Sequence, residues 1–589
     1  MNGLWENVAK LLELCSAKVA GIFAGNAGLF SYLEMTAGLF TFLVRGIFPL
    51  LTAAVLFLCI SSLLQNRKED KIWGYLLAKD GSRIPLKHWE NSLGRSKMSD
   101  IVIAFAFVSR SHAVLTFRNG VWHITDVGSK GGVEVNGAKV EKSDLVNYGD
   151  TISFAGLEMV LAPAEEAGPG RKETAPVSPS PLDKQNKSGL AFTLILLFQI
   201  LGAVQICISL GEGLVPAVPV TFLIFILSEC LFYITVCWWG RGSFDLELLL
   251  FFLCGLGLFN IASANPDFLY KQLVAIYLGI VAYTVIGAVI KDPERARKLK
   301  YALVATAVVL LALNLTIGET YFGAKRWVDL GFTTFQPSEF VKIAFVMAGT
   351  ATLDRLLTTR NMTAFIIFAG VCIGALVLMR DFGTVVVFFG AFIVIAFMRS
   401  GDLRTIAFIS SGAAIGALAV ISFIPYIASR FAVWGKVWEY ADTAGYQQTR
   451  TMIAAASGGL MGVGTGNGFL ANVAAAETDL AFGMLCEEWG LLVALMIALV
   501  FVFFAIYAVF LAKGCRSSLY AIAACGAASM LLLQAALNIL GPMDILPLTG
   551  ITLPFVSRGG SSMVATWGLL ALLKSAGNRF NAGGAGDMT

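Results

Sequence analysis

Charge is scarce in this chain: 14% of its 589 residues are Asp, Glu, Lys or Arg, against about a quarter in an ordinary soluble domain. Water is therefore not the solvent for most of the polypeptide. Histidine is scarcer still. His88, His112 and His123 all fall in one early segment, so the rest of the chain has no imidazole for acid–base work or metal binding, and its chemistry rests on carboxylates and cations. The ten cysteines contain no Cys-x-x-Cys pair, and Cys59, Cys230, Cys254, Cys372 and Cys486 sit in apolar runs. They read as small core residues, with no disulfide framework and no zinc site. A net charge of +4 is too small for a nucleic-acid binder.

What the chain has in abundance is apolar length: 57% hydrophobic residues and a mean hydropathy of +0.75. A membrane-spanning helix needs roughly 20 mostly apolar residues. Such runs are expected near 46–65, 189–209, 215–239, 245–264, 272–290, 301–317, 339–353, 362–379, 384–399, 405–425, 482–512, 518–541 and 551–574. The run at 46–65 is followed by Asn66-Arg67-Lys68-Glu69-Asp70-Lys71 without a small-residue cleavage pattern, so an anchor is expected there. Residues 7–35, mixed in polarity, suit an interfacial helix.

Between 72 and 163 hydropathy falls and short alternating strands appear, such as Ala113-Val114-Leu115-Thr116-Phe117 and Val121-Trp122-His123-Ile124-Thr125, joined through Asn119-Gly120. Asn-Gly between alternating runs signals a tight hairpin, because both residues tolerate positive φ. A compact β-sandwich is expected. From 164 to 188 the chain turns rich in Pro, Ser, Lys and Glu, which cannot bury enough apolar area to fold and reads as a linker.

With the β domain on the cytoplasmic side, alternation puts Arg241, the basic stretch 291–298, Asp354-Arg355, 399–404, 513–516 and Lys574 inside as well, as the positive-inside rule requires. The segments 318–338, Arg380-Asp381, 426–480 and 541–550 then face outside, and the site is sought there. The loop 426–480, rich in Trp, Tyr and Gly, is too long for a plain connection and is expected to be partly helical. The outer segments carry Lys325, Arg326, Arg380, Arg430, Lys436, Arg450 and Arg558. Singly, each reads equally well as a snorkelling anchor. Together they suit a lipid-linked phosphate or diphosphate, for which Arg offers a bidentate fork. Asp479 closes the long outer loop just ahead of a helix, within reach of a sugar held at the membrane surface. Glu339, Glu487 and Glu488 lie at or within helices, where a buried acid paired with a basic or polar group on a neighbouring helix is expected.

Several strings resemble a known family. Gly323-Ala324-Lys325-Arg326-Trp327-Val328-Asp329-Leu330-Gly331, followed by Phe335-Gln336-Pro337-Ser338-Glu339-Phe340-Val341-Lys342, resembles the SEDS signature G-x-x-R-W-[IVL]-x-L-G leading to F-Q-P-S-E-x-x-K. Asp381-Phe382-Gly383-Thr384, Gly445-Tyr446-Gln447, the glycine-rich 457–464, Thr478-Asp479 ahead of Glu487-Glu488-Trp489-Gly490, and Pro547 through Ser562 are similar to further motifs of FtsW, RodA and SpoVE. The resemblance runs from about 245 to 576. It implies a polytopic α-helical membrane protein with a SEDS-type ten-helix core at 240–576, preceded by two additional helices at 189–239, an anchor within 1–71, and followed by a tail at 577–589.

The resemblance further implies an inverting peptidoglycan glycosyltransferase that polymerises lipid II at the outer face of the cytoplasmic membrane, with a class B penicillin-binding protein as partner. Asp479 stands at the place of the family's essential aspartate. Lys325, Arg326, Trp327, Arg450, Gln336, Ser338, Asp381, Ser557 and Arg558 are candidates for holding the diphosphate or glycan. Glu339, Lys342, Glu487 and Glu488 are candidates for support. A divalent cation, Mg or Mn, is a candidate aid to the leaving group. The chain departs from the family pattern at several places: Met379-Arg380 stand where Gln-Pro is usual, and L-P-E-x-H-T-D becomes Val473-Ala474-Ala475-Ala476-Glu477-Thr478-Asp479. Glu477 stands where His is usual, Arg450 where Gln is, and Arg558 where Tyr is. A flippase for the lipid-linked precursor and a non-catalytic scaffold are the competing readings.

The β domain resembles the forkhead-associated (FHA) module through Leu93-Gly94-Arg95, Val108-Ser109-Arg110-Ser111-His112, Asp126-Val127-Gly128-Ser129 and Val135-Asn136-Gly137. The resemblance implies a cytoplasmic module that binds phosphothreonine proteins, with Arg95, Ser109, Arg110, Lys130 and Asn136 as candidate contacts. Gly131 occupies the place of an Asn that grips the peptide backbone in such modules.

Overall fold

The structure, a computed structural model, describes residues 27–577 except 66–71, 88–89, 96–98, 111, 119, 142, 165–180, 239–243, 291–292, 322, 330, 332–333, 354–358, 401–402, 424, 514 and 516–517. Much of the expected interfacial helix at 7–35, most of the linker 164–188, nearly all of the tail 577–589, and Arg241 lie outside the described residues.

Helix α1 (Ala27–Gln65) precedes an eleven-stranded sandwich. A six-stranded sheet runs β2 (Arg83–Leu86), β1 (Gly74–Ala78), β11 (Leu157–Ala162), β10 (Thr151–Phe154), β7 (Val133–Val135), β8 (Ala138–Lys139). The facing sheet runs β4 (Ile101–Val102), β3 (Glu90–Gly94), β5 (Ala113–Arg118), β6 (Val121–Asp126), β9 (Ser143–Val146). Alternation along the strands sends Leu76, Leu93, Leu115, Ile124, Ile152, Phe154 and Leu161 into one core between the sheets. The β5–β6 hairpin pairs Arg118 with Val121 across a two-residue turn, and Asn136 and Gly137 both take positive φ between β7 and β8, as a tight primed turn demands.

The remaining helices are α2 (Pro181–Leu210), α3 (Ala217–Trp238), α4 (Asp245–Ala264), α5 (Leu269–Ile290), α6 (Pro293–Ile317), α7 (Pro337–Leu353), α8 (Thr359–Leu378), α9 (Phe382–Ser400), α10 (Leu403–Phe423), α11 (Pro425–Val433), α12 (Tyr446–Gly458), α13 (Ala481–Glu488), α14 (Leu491–Lys513), α15 (Ser518–Leu540) and α16 (Gly560–Ser575). Among the described residues eight helices are long and apolar enough to cross a membrane, and shorter apolar stretches occur in α8, α9 and α10. The chain is thus a multi-pass membrane protein. Helix α4, mostly apolar beyond Asp245 and Glu247 in its first turn, is buried over nearly its whole length, which makes it the central stave of the bundle.

Two expected spans are corrected. The helix expected over 482–512 is broken between α13 and α14. Gly490 takes φ +88, and its Cα lies so close to the loop above that an added Cβ would meet Gly462 N and Leu460 O at 2.4 Å. The Glu487 and Glu488 carbonyls at the end of α13 accept from Val463 N–H at 2.8 Å and Gly464 N–H at 3.0 Å, so the glycine-rich loop supplies the partners a severed helix end needs. The helix expected over 551–574 begins only at Gly560. Pro554 has no N–H for a helical ladder and Phe555 takes φ +65, so 541–559 is one folded loop.

Candidate active site

Strand β13 (Ala324–Asp329) lies between β12 (Glu319–Tyr321) and β14 (Thr334–Phe335) in a small sheet after α6. Its pairing with β12 jumps from Lys325 opposite Thr320 to Trp327 opposite Glu319. Arg326 is the extra residue, a β-bulge of the kind that re-aims a side chain. The Arg326 guanidinium donates from Nη1 to Gly550 O at 2.9 Å and from Nη2 to Thr549 O at 3.2 Å. Its Nε stands 3.2 Å from Asp381 Oδ1. Asp381 is buried in a turn where Arg380 takes φ +60, just before α9. Lys325 N–H donates to Met379 O at 2.9 Å, which ties the strand to that turn.

Asp479 lies at the end of a tight turn on Ala475 O, which accepts from its N–H at 2.9 Å, two residues before α13. Its half-buried side chain faces the same place. At Gly550, φ +66, a Cβ would come 3.1 Å from Asp479 Oδ2 and 3.5 Å from Arg326 Nη1. Asn538 on α15 holds the segment by donating from Nδ2 to Asp479 O at 3.2 Å, Thr478 O at 3.4 Å and Ile551 O at 2.6 Å. Arg430 on α11 donates to Leu548 O. Two guanidiniums from distant elements therefore grip three successive carbonyls, 548 to 550, beside one carboxylate. Burial pushes the Asp479 carboxyl above the usual carboxylate range. Arg326, a hydrogen bond with Thr478, and Arg430 pull the other way, and Glu477 adds to the rise.

Of the residues singled out by sequence, Arg326, Asp381 and Asp479 come together. Arg430, noted only as one outer cation, joins them. Others go elsewhere. Lys325 Nζ donates to Leu315 O at 2.5 Å and Thr316 O at 3.3 Å, at the C-terminal end of α6, where a cation meets the helix dipole. Arg558 pairs with Glu477 Oε1 at 2.7 Å, so its charge is already matched. Ser557 Oγ donates to Thr478 O at 2.5 Å from a buried position. Gln336 and Ser338 are buried and joined at 3.3 Å, and Gln336 N–H donates to Ser561 Oγ at 3.1 Å. The polar atoms of these five are engaged within the protein in this structure. Trp327 is half-buried, and Arg450 stands 5.0 Å from the Tyr446 ring centroid.

The supporting residues form two local systems. Lys342 Nζ reaches Glu339 Oε1 at 2.7 Å and Gln534 Oε1 at 2.9 Å, and Gln534 continues to Thr552 at 3.1 Å. Glu487 accepts from Phe469 N–H at 2.9 Å and Leu470 N–H at 3.0 Å, while Glu488 accepts from Ser263. Among the described residues no three His, Cys, Asp or Glu side chains gather to hold a metal. Asp381 is paired with Arg326, and no step below uses a divalent ion.

In the sandwich, Arg95 Nη1 donates to Ala106 O at 3.2 Å and Arg95 N–H to Ser109 O at 3.0 Å, while Lys130 N–H donates to Ser109 Oγ at 2.9 Å. Arg95, Ser109 and Lys130 thus meet at one edge, with Arg110 exposed beside them. His112 braces the edge, accepting from Ser109 N–H at 3.1 Å and touching Gly132 O at 2.9 Å. The Asn136 amide closes the β7–β8 turn, donating to Asp150 Oδ1 at 2.9 Å and accepting from Thr151 N–H at 3.0 Å.

A helical membrane bundle with Asp381, Asp479 and two arginines gathered beside the carbonyls of 548–550, joined to a two-sheet sandwich with a cationic edge, defines a two-module membrane protein. Residues 249–581 match the family model described as cell cycle protein, FtsW/RodA/SpoVE, and residues 91–155 match that of the FHA domain. The chain belongs to the FtsW/RodA/SpoVE family. It is 32% identical over 355 residues to the probable peptidoglycan glycosyltransferase FtsW of Tolumonas auensis, covering 56% of this chain and 92% of that protein. It is 27% identical over 319 residues to the peptidoglycan glycosyltransferase RodA of Mycobacterium leprae, covering 51% and 68%. Thermus thermophilus RodA matches at 26% identity and a TM-score of 0.44, covering 57% and 96%.

Proposed function

We propose that this chain is an inverting glycosyltransferase that polymerises lipid II into peptidoglycan glycan strands at the outer face of the cytoplasmic membrane. The observation that carries the reading is Asp479: a half-buried carboxyl raised by burial, held by its backbone, facing Arg326 and Arg430. As general base it takes the proton of the acceptor sugar 4-hydroxyl while that oxygen attacks the donor anomeric carbon. The bond from that carbon to the diphosphate oxygen breaks in the same displacement, and α becomes β. One carboxylate suffices, unlike glycoside hydrolysis with its pair. The electron pair leaves on the diphosphate, and Arg326 and Arg430 stabilise it by exchanging the carbonyls of 548–550 for phosphate oxygens.

Purified protein with labelled lipid II tests this. Asp479→Asn is expected to lower chain formation by about 10² to 10⁴-fold, and undiminished chains would overturn the reading. The two carboxylates that favoured a flippase, Glu487 and Glu488, are engaged locally with Phe469, Leu470 and Ser263, which leaves the polymerase reading better supported.

The FHA module is read as cytoplasmic and as binding phosphothreonine proteins through Arg95, Ser109 and Lys130, and a class B penicillin-binding protein as the cross-linking partner. Full-length protein should bind phosphothreonine peptides, and Arg95→Ala should weaken that by tenfold or more, since a charge-assisted phosphate contact contributes roughly 1.5–3 kcal/mol. Equal binding of unphosphorylated peptides would refute phosphate reading.

A further inference from the structure

The segment that carries Asp479 is pinned to the 553–558 turn by its backbone. Ser557 Oγ donates to Thr478 O at 2.5 Å and Arg558 N–H to Glu477 O at 2.7 Å. One side-chain pair lies over these bonds: Arg558 Nη1 to Glu477 Oε1 at 2.7 Å. The Glu477 side chain is 9% exposed and that of Arg558 29%, so water screens the pair weakly. The Arg558 guanidinium also stands 3.9 Å from the Phe268 ring centroid, at the start of α5, a distance at which a cation is attracted by the ring face.

Glu477 and Arg558 are both positions where the sequence departs from the family pattern. They are far apart in the chain and in contact in space, with opposite charges. Either one alone would leave a weakly screened charge two residues from the proposed base or facing its segment. Together they neutralise each other and clip the loop 541–559 to the turn at 475–479.

We infer that Glu477 and Arg558 are a charge-matched clamp that positions Asp479 for catalysis. The inference rests on Asp479 being the base. The groups facing Asp479 are Arg326 from β13, Arg430 from α11, Glu477 on its own segment and, through Glu477, Arg558 from the loop 541–559; Asp381 ahead of α9 is joined to Arg326. Of these, Glu477 is the like charge that favours protonation of Asp479. Removing it lets Asp479 ionise at lower pH. Removing Arg558 leaves Glu477 unmatched and requires a higher pH.

The test is the pH profile of kcat/KM for glycan-chain formation by the full-length protein with lipid II. Glu477→Gln is expected to shift the acid limb to lower pH and Arg558→Gln to higher pH, each with roughly a tenfold or greater loss of kcat. A purely structural contact would not move the limb in opposite directions. The charge-exchanged double variant, Glu477→Arg with Arg558→Glu, is expected to recover at least part of the loss and to restore folding if a single variant unfolds. Limbs that stay at the wild-type position, or an exchanged variant no better than the singles, would overturn the clamp alone. Full activity in Asp479→Asn would overturn the base assignment and the clamp with it.

Discussion

Lys325 and Arg326 are neighbours of like charge, yet the bulge at Arg326 sends one ammonium to the end of α6 and the other cation to Asp381, Thr549 and Gly550. The two duties of Arg326, fork and charge, can be separated. Arg326→Lys keeps the charge and loses the fork, so polymerisation should fall while the acid limb stays in place. Arg326→Gln loses both. The rate should drop by about 10²-fold or more, and because Arg326 lowers the Asp479 pKa, its loss should raise the limb: Asp479 must be ionised to accept a proton, and higher pH is then needed. An unmoved limb in Arg326→Gln would mean that the two groups do not interact. Asp479, Arg326 and Asp381 were legible in the sequence because each sits in a long recognisable string. The pairing of Glu477 with Arg558 was not, since two opposite charges in separate loops carry no signal of their meeting. Arg430 was visible as an outer cation, but no spacing tells that α11 folds back on Leu548.

Elements were legible wherever one periodicity ran without competition. The β5–β6 hairpin declared itself through alternation and Asn119-Gly120, and the long apolar helices through length. The breaks were harder, because apolar residues continue on both sides of Gly490 and the separation of α13 from α14 depends on its contacts with the distant loop 460–464. Pro554 was the signal against a helix at 551–559, and hydropathy outweighed it. A glycine also decides the phosphate edge of the sandwich. An added Cβ at Gly131 would lie 2.2 Å from Ala155 Cβ, so the backbone passes where an Asn cannot fit. Gly131→Asn should therefore destabilise the sandwich, lowering its thermal midpoint, without raising phosphopeptide affinity. Adding Ala155→Gly removes the opposing methyl at a residue with φ +52, a conformation glycine prefers. The double variant should regain stability. A stable Gly131→Asn single would show that the β7 approach can shift to admit a side chain.

The whole molecule is assembled by alternation. Arg326, Asp381, Arg430, Asp479 and the carbonyls of 548–550 come from five connections: α6 to α7, α8 to α9, α10 to α12, α12 to α13, and α15 to α16. Their contacts bring these connections together at one end of the bundle. The sandwich is inserted between α1 and α2, and with each long helix crossing once, its connections have the parity of the other end, which the basic stretches 291–298 and 513–516 share. The positive-inside bias is the physical argument for the proposed orientation, with the sandwich cytoplasmic and the Asp479 end exterior. Single cysteines at exposed positions test this against the background of the native thiols. In intact cells a membrane-impermeant maleimide should label Asn472→Cys, close to Asp479, and leave Lys139→Cys in the sandwich unlabelled until the membrane is opened. The reverse pattern would place the carboxylate in the cytosol, where strands destined for the wall cannot be built. Labelling of both in intact cells would break the alternation and, with it, the assignment of the two modules to opposite faces.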